Sequence, residues 1–180
     1  KIETKIVAPL SEDQKKLYLA HLEEAKATVS NELKANTFKK NQLKILSMIT
    51  RLRQICCHPG MFIDDYKGDS GKLDLLVELI EDSIEGGHKI LLFSQYTSML
   101  AIIKDQLIKM DIDYAYLDGK VPGKQRKDII HKFNHGDIPI FLISLKAGGT
   151  GLNLTAADVV IHFDPWWNPA VEDQATDRAY

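Results

Sequence analysis

The sequence has little cysteine, no long apolar run and no standard triphosphate cradle, and each absence narrows its reading. Only two cysteines occur among 180 residues, the neighbours Cys56 and Cys57. A bridge between adjacent residues is strained and closes no loop, so a reducing intracellular compartment is expected. No apolar stretch approaches the ~20 residues that cross a bilayer, and no secretory signal is visible. The G-x-x-x-x-G-K-[ST] pattern, whose backbone, lysine and hydroxyl hold a triphosphate and its metal, is absent. Internal repeats and low-complexity segments are lacking too. Neither sign of charge is in excess, since 23 Lys and Arg face 25 Asp and Glu, which argues against uniform coating of nucleic acid. The chain begins with Lys1 and stops at Tyr180 inside a helical pattern, so a larger parent protein is expected.

What is present is globular in balance, with 44% hydrophobic and 27% charged residues. The charge is unevenly placed: the first sixty residues are rich in Lys and Arg and the remainder in Asp and Glu. The basic third reads either as a solvated helix face or as a local basic track. Ser11-Glu-Asp-Gln14 matches a capping box and predicts a helix start. Tyr18, Leu22, Ala25, Val29 and Leu33 form one helical stripe, and Ile45, Met48, Ile49, Leu52 and Ile55 a second, ended by Pro59-Gly60. The two helices are expected to pack as a hairpin, with the organisational boundary in the polar segment Met61 to Ser70.

Beyond it the pattern alternates. Helical stripes at Leu73 to Ile84, Met99 to Leu107 and Ile129 to Phe133 separate the apolar runs Lys89 to Ser94, Asp113 to Leu117, Ile138 to Ser144 and Asp158 to Phe163. Strands alternating with helices predict crossover units and a parallel sheet, and ligands of such sheets sit at the strands' carboxyl ends. Those ends are Ser94, Asp118, Ser144 with its glycine-rich loop, and Asp164 with Trp166 and Trp167.

The loop Gly148-Gly149-Thr150-Gly151 could form an anion-binding nest or serve only as a tight turn. The dinucleotide fingerprint fails because its third small residue falls at Leu154. Cys56-Cys57-His58 is a poor metal site, because successive helical residues point about 100° apart and no second ligand pair exists. Trp166 and Trp167, between Pro165 and Asn168-Pro169, lie where the chain should turn at the surface. Either both rings pack in the core, or one does while the other faces a partner, where stacking on a base is worth ~1–3 kcal/mol. Gln174 and Arg178, four apart, project from one helix face, which is either a solvated face or a phosphate contact suited to arginine's planar fork.

Read together, seven ordered stretches resemble Swi/Snf-type ATPases, the superfamily-two, helicase-like DNA translocases. They are "LRQICCHP" (52–59), "SGKL" (70–73), "ILLFSQY" (90–96), "YLDG" (116–119), "AGGTGLNLTAAD" (147–158), "DPWWNP" (164–169) and "QATDRAY" (174–180). The resemblance implies an α/β fold, a RecA-like parallel sheet with flanking helices of the P-loop NTPase type. Residues 70–180 would be that helicase C-terminal domain, ending within motif VI, and residues 1–69 the helical protrusion before it. It implies DNA-backbone contacts from Ser94 and Gln95 (motif IV), from Ser144, Lys146 and Gly148 (motif V), and from Trp167. Gly149 and Gly151 would lie on the nucleotide side, and Gln174 and Arg178 in motif VI, with Arg178 like the first of two arginines that reach the γ-phosphate. The second would follow Tyr180. This chain has Pro165 and Trp166 where many relatives are more polar, which makes Trp166 the core ring.

The implied cofactors are ATP and Mg²⁺, held mainly by an N-terminal RecA-like lobe outside this sequence, and the implied partner is double-stranded DNA gripped without base reading. The segment alone is then expected neither to hydrolyse ATP nor to bind it tightly. Compact connections between motifs favour a prokaryotic source and the nucleoid-associated cytoplasm over the nucleus. Two rival readings stay open, a nucleotide-binding oxidoreductase domain and a noncatalytic interaction module.

Overall fold

A computed structural model describes residues 2–148 and 152–164. The chain divides into two compact units, residues 8–74 and a second that joins residues 1–7 to those from 75 onward.

In the first unit the expected capping box forms. The Gln14 amide donates to Ser11 Oγ at 3.2 Å and the Ser11 amide to Gln14 Oε1 at 2.9 Å, opening α1 (Glu12–Lys34). The second stripe lies in α2 (Gln42–Cys57), which packs along α1. Gln14 is fully buried, and its Nε2 donates to the Ile55 carbonyl at 2.8 Å while Oε1 also accepts the Gly71 amide at 3.0 Å. One side chain therefore caps α1, ties it to the end of α2 and meets the start of α3 (Gly71–Glu85). Between α1 and α2, Asn36 adopts φ 58°, a left-handed conformation that Asn tolerates. Glu32 closes that turn by accepting from Thr37 Oγ1 and from Asn41 Nδ2 at 2.6 Å. Past α2, His58 Nδ1 accepts the Gly60 amide at 2.9 Å, so the ring caps the 3-10 turn Pro59–Met61.

The second unit is the expected alternation. In chain order it contains β1 (Ile2–Lys5), β2 (Ile90–Ser94), α4 (Thr97–Lys109), β3 (Tyr114–Leu117), α5 (Gly123–His135), β4 (Ile140–Ser144), α6 (Leu145–Gly148) and β5 (Val159–His162). All strand pairs are parallel, in the order β1-β5-β2-β4-β3. The three inner strands are buried along their whole length, as uninterrupted apolar runs covered on both faces require. Edge strand β3 alternates half-buried and buried residues. Phe93, Phe133, Phe141 and Phe163 are among the largest fully buried side chains, each worth about 1.5–3 kcal/mol of transfer free energy.

Two elements have no counterpart in the sequence reading. Strand β1 is short and mostly exposed, so it carries no apolar run. It forms because β5 offers an unpaired ladder, met by the Ile2 amide on Asp158 O (2.8 Å) and the Ile6 amide on His162 O (3.0 Å). Buried His162 adds a bond to Glu3 Oε1 at 3.0 Å and stacks on Phe93. The single turn α6 is too short for periodicity to signal.

At the amino ends of the strands, Asp158 stitches the sheet. It accepts from the Lys89 amide at 2.8 Å and contacts His88 Nδ1 at 2.6 Å. Lys89 Nζ in turn reaches the carbonyls of Phe133 and Gly136 (3.0 Å to the latter) at the end of α5.

Candidate functional site

The carboxyl ends of the strands gather the residues that the sequence singled out. Ser94 and Ser144 are register partners on adjacent strands, and both are buried, at 0% and 4% exposure. The Ser94 hydroxyl donates to Asp164 Oδ1, the Gln95 amide donates to Asp164 Oδ2 at 3.0 Å, and the Tyr96 amide donates to Ser94 Oγ at 3.1 Å. Asp164, itself 2% exposed, thus clasps the end of β2 from just beyond the end of β5. A carboxylate so far from water is tolerable because charge-assisted donors replace its hydration. The Ser94 side chain is committed to this clasp. Beside it at the rim stands the half-buried side chain of Gln95.

On the next strand, Ser144 Oγ accepts the Ala147 amide at 3.3 Å and so starts α6. That turn exposes Lys146 while burying Leu145, Ala147 and Gly148. A Cβ at Gly148 would lie 2.9 Å from Phe93 Cε1. The absence of a side chain there is demanded by close packing under the rim, independently of anything its amide binds. Downstream, Leu152 and Leu154 enter the same core at 5% and 0% exposure. Asn134 of α5 holds that segment, donating to Asn153 O at 2.8 Å and accepting the Ala156 amide at 3.4 Å. The described residues on either side of 149–151 are therefore held in place.

The third strand end carries a polar group of its own. Asp118 accepts from the Lys120 amide at 2.9 Å and from Tyr116 Oη at 2.8 Å. Burial pushes the Asp118 carboxyl up, but those two hydrogen bonds and the Lys120 and Lys104 charges outweigh it and leave it below the ordinary value. Burial, then the bond to Asp118 and its charge, pushes the Tyr116 phenol up to about 12. Arg126 Nε donates to Val121 O at 3.0 Å, closing the loop that leads into α5.

Among the described candidates, Ser94, Gln95, Ser144, Lys146 and Gly148 thus meet at one rim, on β2 and β4 and the turns that follow them. Gly149, Gly151, Trp167, Gln174 and Arg178 lie outside the described residues. Sequence reading noted Asp164 only as a polar strand end, and nothing in the sequence marked Asn134, whose role depends on a contact 19 residues away.

A parallel sheet in this order, with helices flanking it and polar strand ends on one rim, is a RecA-like helicase lobe. Residues 71–180 match the family of the helicase conserved C-terminal domain. The C-terminal domain of the Sulfolobus solfataricus SWI2/SNF2 ATPase superposes with a TM-score of 0.82 at 36% identity, covering 96% of this chain and 75% of that one. The ATPase core of that organism in complex with dsDNA gives 0.83 at 35% identity, covering 99% of this chain and 37% of that one. In sequence, an uncharacterized ATP-dependent helicase of Mycoplasma genitalium is 43% identical over 182 residues, covering 100% of this chain and 17% of that protein. The chain belongs to the helicase C-terminal domain family, as a Swi2/Snf2-type lobe. It spans about a fifth or less of the length of the curated relatives it matches first, 17% and 20%.

Proposed function

We propose that this lobe is half of an ATP-dependent translocase on double-stranded DNA, gripping one DNA strand by its backbone and completing an ATP site shared with another lobe. The observation that carries the DNA side is the meeting of Gln95, the Ser144–Lys146 turn and Gly148 at one rim. Exposed Lys146 supplies a cation there, and half-buried Gln95 a side-chain amide. Such contacts position a protein on phosphates without reading bases, which implies little sequence preference and strong salt dependence. The relative solved in complex with dsDNA supports the same polymer. Trp167 is assigned to the DNA side as well.

ATP and Mg²⁺ do not fit this lobe alone. The sequence has no triphosphate cradle, and among the described residues no three His, Cys, Asp or Glu side chains gather to hold a metal ion. We assign the cradle and metal ligands to the other lobe, and to this one Gly149, Gly151, Gln174 and Arg178, with Arg178 facing the terminal phosphate. The relatives named as ATP-dependent helicases support ATP use. A change in spacing between this rim and the second lobe's grip would move the protein along the duplex. For a bacterial parent this happens in the nucleoid-associated cytoplasm.

Arg178→Ala in the intact protein tests the reading. Loss of an arginine finger removes on the order of 10³-fold or more in turnover, so DNA-stimulated ATP hydrolysis should nearly vanish. Unchanged stimulation would leave the noncatalytic interaction module as the better account.

A further inference from the structure

From Lys26 to Ile63 the helical unit has seven Lys and Arg and a single acid, Glu32. That acid is engaged in the turn between α1 and α2, accepting from Thr37 and Asn41. Those two hydrogen bonds, with burial opposing and the Lys44 and Lys40 charges adding, hold its carboxyl below the ordinary range. Lys34, Lys39, Lys40 and Lys44 are all exposed, and none of them forms an ion pair among the described residues. The hairpin tip is thus a frame closed by side-chain hydrogen bonds and carrying cations in excess of its one acid.

The cations continue in line. Lys44 and Arg51 are seven residues apart on α2, two turns or ~10 Å along its axis, and so share a face. With Ser47 and Met48 they line a groove of about 280 Å³ whose other wall is His21 and Glu24 of α1. Arg51 is held in place, its guanidinium 4.0 Å over the Phe62 ring and donating to Gln54 Oε1 at 3.1 Å. Lys40 lies just ahead of the Asn41 N-cap and extends the row toward the tip.

We propose that this row, Lys39, Lys40, Lys44 and Arg51, is a second contact for the phosphate backbone of duplex DNA, separate from the strand-end rim. A small anion needs donors that converge on one point, whereas these cations are spread along a line, which suits a polymer of fixed negative charge. Exposed Leu46, which would favour a protein partner, points away from the Lys44–Arg51 face by helical spacing, while exposed Leu43 flanks it. The identity of the polymer rests on the translocase reading, but the test measures binding alone.

In the intact protein, Lys39, Lys40 and Lys44 are changed together to Gln, and binding of a labelled mixed-sequence duplex is titrated between about 50 and 200 mM salt. Each phosphate contact contributes about 0.9 to the slope of log K against log salt, so the slope should fall by about 2.7, with binding weakened roughly tenfold or more. A matched triple, Lys109→Gln, Lys127→Gln and Lys132→Gln, removes the same charge outside the helical unit and should leave the slope nearly unchanged. Thermal unfolding of the first triple should stay close to wild type, because the three ammoniums form no hydrogen bond or ion pair among the described residues and lose only a weak attraction to Glu32. An unchanged slope in the first triple overturns the proposal, as does an equal fall in both. An acidic peptide bound by wild type and not by the first triple, with duplex affinity intact, would make the row a protein-docking site. Failure of the translocase reading looks different: duplex would not stimulate wild-type ATP hydrolysis, whatever the slopes.

Discussion

At Asp164 one carboxylate decides how two strand ends meet. It accepts from the Ser94 hydroxyl and the Gln95 amide while 2% exposed. Asn in its place keeps the shape but turns an NH₂ toward one of those donors. Hydrogen bonds to charged groups are worth about 1.5–3 kcal/mol, so Asp164→Asn should lower unfolding free energy by about that much in urea titrations. Ser94→Ala in the same background should add little, because the bond it removes is already compromised; full additivity would mean that the two side chains act independently. Gly148 poses the opposite problem. An alanine Cβ 2.9 Å from Phe93 Cε1 forces the ring or the turn to move, and overpacking costs about 1–3 kcal/mol. Gly148→Ala should therefore destabilise the chain, and Phe93→Leu, harmful alone, should recover part of that loss in the double variant.

At the level of elements, the helix and strand ends show what local sequence could and could not reveal. The Ser11–Gln14 box was legible because its partners are three residues apart, and it forms as expected. Gln14's bonds to Ile55 and Gly71 were not, since they span 41 and 57 residues. Likewise the apolar runs announced β2, β4 and β5, whereas β1 takes its strand character from a vacant edge of β5. The rim itself was legible from strand polarity, and its clasp was not. Gln14→Ala would leave the Ile55 carbonyl and the Gly71 amide without their partner, at about 1–3 kcal/mol for each buried group stranded; a loss under about 1 kcal/mol would mean that water replaces the amide. Asp158 gives a pH signature. Burial raises its pKa, but the bond to His88 and the Lys89 amide outweigh it, so the folded-state value is depressed. A depressed acid contributes stability above its unfolded pKa of about 3.9, and that contribution is lost as pH falls through the folded value. The urea midpoint should thus drop as pH falls below about 4, and Asp158→Asn, already weaker at neutral pH, should drop less steeply.

For the molecule as a whole, the question is whether the lobe holds nucleotide without its counterpart. The chain has no triphosphate cradle, and no metal-binding cluster occurs among the described residues. On the proposed assignment Gly149, Gly151 and Arg178 would give a nucleotide only part of its contacts, and weak partial contacts do not overcome the freedom lost on binding. Ligand present at a concentration equal to Kd stabilises a fold by only about 0.4 kcal/mol, and for a chain of 150–250 residues 1 kcal/mol moves Tm by about 2–4 °C. With millimolar ATP and Mg²⁺ the isolated 180-residue chain should therefore shift by no more than about 1–2 °C and release no phosphate, with or without duplex DNA. A rise of several degrees would show a complete nucleotide site within this lobe and would undo the assignment of the cradle to another one. The same scan with duplex in place of nucleotide should behave differently. The rim and the lysine row both belong to this chain, so duplex should raise Tm at low salt, and the rise should fade as salt displaces the phosphate contacts.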